Sequence, residues 1–289
     1  MNIGEILRQD GKRLQDVLGL DEREAGIEVR CLLQAVLNVS RAYLMTYPER
    51  ILSGDESSRY SGYIERRLKG EPIAYILRER EFFGHVFRVT PATLIPRPDT
   101  ELLVELALQR IDEANVRRVL DMGTGSGAIS ISIALARPEL EVVALDASEA
   151  ALDVAIENAR RLGAFNVRFL KSDWFSELND ERFELIVSNP PYVEAHDAHL
   201  KDLRFEPESA LVSGEDGLDD IRRISAEALS HLNPGAWLML EHGFDQAQSV
   251  RDLLRRSGLE EVSSVRDLSG MERVSMGRLT RADPFCNNT

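Results

Sequence analysis

Two short segments carry residue types in an order that could do chemistry. The first is Asp121-Met122-Gly123-Thr124-Gly125-Ser126-Gly127, which lies between two apolar runs. Glycines at 123 and 125 permit a tight bend and a close backbone approach to a ligand that any Cβ would obstruct. Asp146 ends the next apolar run, where a carboxylate can accept both hydroxyls of a ribose. Together they imply an adenosine-type ligand. Gly-Thr-Gly-Ser-Gly-Ala also satisfies the dinucleotide fingerprint, so a dehydrogenase stays open on this motif alone. Asp121 reads as an exposed carboxylate or as a cap for the loop that follows it.

The second segment is Ser188-Asn189-Pro190-Pro191-Tyr192. Two prolines end an apolar run and remove two backbone donors. Asn189, preceding a proline, is pushed toward an extended conformation. Its side-chain oxygen and the carbonyl of Pro190 form two acceptors on a stiff support, and Tyr192 adds a flat face. Such a set suits the methylation of a planar nitrogen. The lone pair of an amide or exocyclic amine is delocalised, so the nitrogen is a poor nucleophile. Holding both N–H groups aims that lone pair, and a nitrogen set about 3–3.5 Å from an electrophilic methyl gains much of the acceleration. The two acceptors then stabilise the positive charge that develops. Trp174, in Ser-Asp-Trp-Phe, is placed to cover an adenine, with a core position as the alternative.

These segments must be carried by a frame of strands and helices. Apolar residues recur at helical spacing through residues 1–70. Asp21 and Glu24 form a capping box there, and Asp55 or Ser57 starts a helix through Arg67, stopped by Gly70 and Pro72. Cys31 sits beside an apolar face and reads as a buried structural thiol. From Ile73 to Pro98 the period changes; Phe82, Phe83, Val86, Phe87 and Val89 predict a hairpin turning at Gly84. Asp99 or Thr100 caps a helix through about Arg110.

After Asn115 strands and helices alternate, which predicts a mostly parallel sheet flanked by helices. The strands read as 116–121, 141–146, 166–171, 183–188 and 236–241, with closing strands at 261–267 and 273–279. The intervening helices read as 128–136, 150–162, 217–232 and 244–257. The last residues, 281–289, read as a frayed tail. The expected division is a helical amino-terminal domain over 1–72, a hairpin linker over 73–98 and an α/β catalytic domain over 99–282.

Composition narrows the ligand class. The chain has 289 residues, 35 Lys+Arg against 49 Asp+Glu, and a net charge of −14. Residues 1–80 hold 13 basic and 13 acidic residues, so the whole excess of acid follows them. Binding to nucleic acid grows with Lys/Arg–phosphate contacts, so this balance argues against a nucleic acid requirement. An acidic surface suits a basic protein partner. Two cysteines, Cys31 and Cys286, cannot build a disulfide framework or a Cys-rich zinc site. With no signal-peptide core and no long apolar stretch, the expectation is a cytoplasmic protein without a membrane role. His196 and His199 read as a solvated loop rather than a metal cluster, and His242 receives no role.

The two segments together resemble class I S-adenosylmethionine methyltransferases with an amino-methylating Asn-Pro-Pro-Tyr motif. GEPIAYIL, EFFGHVFRVTPATLIPRPDTELLVE, DMGTGSGAISISIA, LIVSNPPYV, FEPESALVSGEDGL and LSGMERV extend the likeness. They resemble the peptide chain release factor glutamine methyltransferases, the PrmC/HemK family, from Gly70 to about Leu279. The resemblance implies a Rossmann-like, mostly parallel seven-stranded sheet. It also implies methyl transfer from S-adenosyl-L-methionine to the side-chain nitrogen of the glutamine in the Gly-Gly-Gln tip of class I release factors, by a monomer. Carried over, Gly123, Thr124, Gly125, Ser126, Gly127 and Asp146 bind the cofactor, with Trp174 at its adenine. Asn189 approaches the cofactor and holds the substrate amide, and Asn189, Pro190, Pro191 and Tyr192 cradle the glutamine. Arg78 departs from the pattern, standing where a glycine is expected. A DNA or RNA adenine methyltransferase shares Asn-Pro-Pro-Tyr and would need a flipped base. A non-catalytic adenosine-binding module would not need Asn189 and Tyr192 beside the glycine loop.

Overall fold

The computed structural model describes residues 1–114 and 116–280; the expected tail, with Cys286, lies outside them. The chain forms two compact units, Met1–Glu79 and the part from Arg80 onward.

The first unit is helical: α1 (Ile3–Leu18), α2 (Glu22–Leu37), α3 (Arg41–Thr46), α4 (Gly54–Leu68) and α5 (Ile73–Leu77). Ile3, Ile6 and Leu14 of α1 meet Val29, Leu32, Leu33 and Val36 of α2 and Tyr60 and Ile64 of α4 in one core. The Asp21–Glu24 capping box forms as expected. The start of α4 does not lie at Asp55 or Ser57. Ser53 accepts from the Glu56 N–H while the Glu56 carboxylate accepts from the Ser53 N–H. That reciprocal pair satisfies two end donors at once, and it leaves Asp55 and Glu56 in the first turn, where acid favours the helix dipole. Cys31 is half-buried rather than buried, and burial pushes its thiol up from the usual range.

Ile73–Leu77 is helical where a hairpin was expected. Pro72 supplies a φ of −60° at its start, and Ala74, Tyr75 and Ile76 are buried. The turn ends at Arg78 in the left-handed region, φ 61°. The position therefore has the conformation a glycine adopts at least cost, and an arginine holds it. The hairpin itself is short: β1 (Glu79–Phe82) and β2 (His85–Arg88), joined at Phe83 and Gly84 with φ of 50° and 75°. Positive φ at both central residues is the hairpin turn that matches strand twist.

The second unit continues with a 3-10 turn (Pro98–Thr100), α6 (Glu101–Glu113), β3 (Arg118–Met122), α7 (Ala128–Ala136), β4 (Glu141–Asp146), α8 (Glu149–Leu162) and β5 (Val167–Lys171). Then come β6 (Phe183–Ser188), α9 (Asp219–Glu227), β7 (Leu232–Glu241), α10 (Ala247–Arg256), β8 (Glu260–Arg266) and β9 (Glu272–Arg278). The sheet order is β5-β4-β3-β6-β7-β9-β8. The first five strands in that order pair in parallel, and β9 pairs antiparallel with both β7 and β8. This is the expected α/β class with a seven-stranded sheet.

Both sheet faces are buried, as parallel sheets require. Val119, Leu185, Val187 and Met239 face one core with Leu103 and Val104 of α6. Leu120, Met122, Ile186, Leu238 and Leu240 face the other with Ile221, Ile224, Val250 and Leu254. The helix expected to run to Leu232 ends earlier, and β7 already begins there. Pro234-Gly235, which lies outside the expected strand 236–241, falls within β7, where the β6–β7 register shifts and Gly235 takes φ 87°. Among the described residues, no helix is long and apolar enough to cross a membrane.

Candidate active site

The strand order reverses its direction of growth between β3 and β6, and a doubly wound sheet binds ligands at such a point, beyond its carboxyl edge. Met122, the last residue of β3, pairs with Ser188, the last of β6. The Ser188 hydroxyl donates to the Met122 carbonyl at 2.7 Å. Both chemistry-bearing segments therefore leave the sheet side by side.

The glycine loop is wired from within. Asp121 is wholly buried, not exposed. Its Oδ2 accepts from the Thr124 hydroxyl at 2.6 Å and from the Ser130 N–H at 3.1 Å, so it caps the loop and the start of α7. Burial pushes the Asp121 carboxyl up to about 6 despite those bonds, and its Oδ1 has no protein partner among the described residues. Gly123, Gly125 and Gly127 take φ of 70°, 56° and 81°. A Cβ at 127 would lie 2.5 Å from Ile131 Cδ1, whereas at 125 it would enter open space. Gly127 thus serves packing, and Gly125 keeps the cleft clear.

Asp146 is half-buried, and burial raises its pKa. Its oxygens accept from the Gly125 N–H at 2.9 Å and the Ser148 N–H at 2.8 Å. Each oxygen keeps a further lone pair for a ligand. Trp174, at φ 50°, is half-buried, with its ring beside Gly123. Its indole N–H donates to Asp220 at 3.0 Å, and the Ser213 hydroxyl donates to the other Asp220 oxygen at 2.7 Å.

These residues line a cleft of about 270 Å³, near the lower end of roughly 300–1,000 Å³ for small-molecule sites. Gly123, Thr124, Gly125, Ser126, Asp146, Trp174, Asn189 and Pro191 all border it. Gly127, Pro190 and Tyr192 lie behind this lining; Pro190 is buried and Tyr192 half-buried. Pro96, Arg97, Thr100, Pro207 and Ser209 complete the wall. Arg97 is ion-paired with the buried Glu206, which also accepts from the Ile95 N–H at 3.0 Å. A glycine loop with open space at 125, an acidic strand end and an aromatic ring suit a nucleoside.

The Asn-Pro-Pro-Tyr segment takes its support from elsewhere. Asn189 donates its Nδ2 to the Thr100 hydroxyl at 3.2 Å. Thr100 and Tyr192 both act on Glu241 at the end of β7, favouring its charged form. Glu241 is 1% exposed, and burial pushes its carboxyl up to about 7. Burial, together with the charge of Glu241, raises the Tyr192 hydroxyl well above the usual phenol range. Sequence reading assigned nothing to Glu241 and treated Thr100 only as a cap. The available signal was a carboxylate closing the buried strand Leu-Met-Leu-Glu, as Asp121 nearly closes β3.

His196 and His199 stand on the surface. His196 lies 3.8 Å from Glu215, with both side chains more than four-fifths exposed, and His199 bonds Asp197 at 2.8 Å. His242 is buried against the Gly243 carbonyl and the Ser275 hydroxyl, each at 2.8 Å, and burial lowers its pKa.

Both parts of the chain are similar to known proteins. Residues 5–77 match the PrmC N-terminal domain, and residues 99–205 match the Methyltransferase small domain. A release factor glutamine methyltransferase of Bordetella pertussis is 50% identical over 269 residues, 92% of this chain and 99% of that protein. One of Xylella fastidiosa (strain Temecula1) is 48% identical over 259 residues, 89% of this chain and 94% of that one. Among solved structures, a 16S rRNA methyltransferase of T. thermophilus, in complex with AdoMet and guanosine, superposes with a TM-score of 0.52. It is 21% identical over 69% of this chain and 49% of its own, and shares the fold alone.

Proposed function

The chain belongs to the release factor glutamine methyltransferase family, and from that premise we propose that it methylates the Gly-Gly-Gln glutamine of class I release factors at the side-chain nitrogen N5, drawing the methyl from S-adenosyl-L-methionine. The observation that carries the reading is the convergence of Gly123–Ser126, Asp146 and Asn189 on one cleft.

In this reading the free lone pairs of Asp146 accept the ribose hydroxyls. The backbone at Gly123–Ser126 lies along the ligand, with Gly127 packed behind it, and Trp174 covers the adenine. S-adenosyl-L-methionine supplies an electrophilic methyl on a sulfonium. With its Nδ2 given to Thr100, Asn189 offers Oδ1 to one N–H of the target amide, and the Pro190 carbonyl accepts the other. Pro191 and Tyr192 flank the glutamine. The nitrogen lone pair is thereby aimed along the methyl axis. The nitrogen becomes positive only as the new bond forms, so the two acceptors act where charge develops, and no strong base is needed beforehand. The proton then leaves to solvent.

The test is transfer of labelled methyl to purified release factor, followed by peptide mapping. Label on the Gly-Gly-Gln peptide is expected. Equal transfer to duplex DNA or tRNA would favour an adenine methyltransferase instead. Bound cofactor without turnover on any of these would leave a binding module.

A further inference from the structure

We propose that Glu206 is a positioning residue: its buried carboxylate ties together the two chain segments that support Asn-Pro-Pro-Tyr, and so sets where Asn189 and the Pro190 carbonyl stand. The inference rests on the reading that these two groups hold the target amide.

Glu206 is 7% exposed, and both of its oxygens bond one distant stretch of chain. Oε2 accepts from the Ile95 N–H at 3.0 Å, and Oε1 accepts from the Arg97 guanidinium. A carboxylate that takes a backbone N–H and a guanidinium two residues apart fixes both the place and the direction of the chain between them. Ile95 is itself buried, whereas Pro96 and Arg97 border the cleft. The Arg97 carbonyl then accepts from the Thr100 N–H at 3.1 Å and starts the 3-10 turn. Thr100 in turn accepts from Asn189 Nδ2 at 3.2 Å. Glu206 therefore reaches the Asn189 side chain by way of Arg97 and Thr100.

The main chain beyond Glu206 leads back to the same loop from its other end. Pro207 and Ser209 form another part of the cleft wall. After a short 3-10 turn, Glu208–Ala210, the Leu211 carbonyl accepts from the Tyr192 N–H at 3.1 Å and from the Val193 N–H at 2.8 Å. The Ser213 N–H returns a bond to the Val193 carbonyl at 3.0 Å. Residues 206–213 thus brace the Tyr192 end of Asn-Pro-Pro-Tyr, as Thr100 braces the Asn189 end. Pro190 and Pro191 have no N–H, so backbone donors can brace this loop only at its ends. Stability alone gives little reason for a charge at 206, because packed apolar residues in place of a buried ion pair are often neutral or stabilising. What the carboxylate adds is a fixed spacing between the two braces.

The test measures single-turnover methylation of release factor at saturating cofactor, with cofactor affinity and amide hydrogen exchange followed on each folded variant. Glu206→Ala should lose rate by on the order of 10²-fold, the cost of misplacing a reacting group by about 1 Å, with cofactor affinity unchanged. Glu206→Gln can still accept from the Ile95 N–H but lacks the charge opposite Arg97, so it should lose less. Arg97→Lys keeps the charge and lacks the fork, and it too should fall between the wild type and Glu206→Ala. Exchange at the Thr100 and Val193 amides should quicken in the order of rate loss. Exchange at the Gly125 amide, which bonds Asp146, should stay as in the wild type. A folded Glu206→Ala enzyme at the wild-type rate overturns the proposal. So does a loss of cofactor affinity in step with the rate, the mark of a merely structural role. Should Glu206→Ala fail to fold, wild-type rates in both Glu206→Gln and Arg97→Lys overturn it. Absence of transfer by the wild-type protein would instead remove the reading on which the proposal rests, and unchanged exchange at Thr100 and Val193 would then overturn the brace itself.

Discussion

The loops after β3 and β6 leave the same edge of the same sheet, yet they are held by opposite means. The glycine loop is wired locally. Asp121 reaches Thr124 and Ser130, three and nine positions away, and Asp146 reaches Gly125 across 21. The Asn-Pro-Pro-Tyr loop is wired at long range. Asn189 bonds Thr100 across 89 positions, at the start of α6. A ligand that must only be gripped is served by a self-contained loop. A side chain proposed to orient the substrate amide is held by a partner from a distant element.

The largest expected effect comes from breaking the long-range loop. Asn189→Ala keeps the Pro190 carbonyl and deletes the side-chain acceptor. Loss of one preorganised polar contact at a reacting centre typically costs about 10²–10³ in rate, and single-turnover kinetics should show it with cofactor affinity little changed. Breaking the local loop should reverse that split. Asp146→Ala should weaken S-adenosyl-L-methionine binding by roughly 1.5–3 kcal/mol in calorimetry, the range for a charge-assisted hydrogen bond. Near-native affinity would mean that the ribose is held elsewhere. The smallest effect sharpens the comparison outside the site. Arg78 is exposed and holds φ 61° with a side chain that disfavours it. Arg78→Gly relieves a left-handed cost of about 1–2 kcal/mol but loosens the unfolded chain by roughly 0.4–1. A net gain of about 0.5–1 kcal/mol is expected from urea unfolding, with methylation unchanged.

The same contrast explains what could be read from the sequence. The strands at Glu141–Asp146 and Phe183–Ser188 and the helix at Ala128–Ala136 were legible to the residue, because apolar runs ended at clear punctuation. The glycine loop and Asn-Pro-Pro-Tyr were legible because their residue types constrain the backbone by themselves. Ile73–Leu77 was not, since five residues are too few to show a period. The start of β7 at Leu232 is not legible because Pro234-Gly235 interrupts the apolar run, and the pairing with β6 shifts register there. Of the two readings of Asp121, the loop cap holds and the exposure does not, because burial depends on what covers it, here Thr124 and α7. Thr100 escaped for the same reason: it is not unusual until the fold places it against Asn189.

The pairing of Met122 with Ser188 makes the sheet a ruler. Neighbouring strands lie about 4.8 Å apart, and one residue along a strand advances about 3.3 Å. That single step is as long as the separation of about 3–3.5 Å at which a nucleophile attacks. An insertion or deletion in β3 or β6 would therefore displace one loop against the other by a full attack distance, with every side chain of the site still present. The lengths of these two strands are as much a part of the reaction as any residue in the cleft.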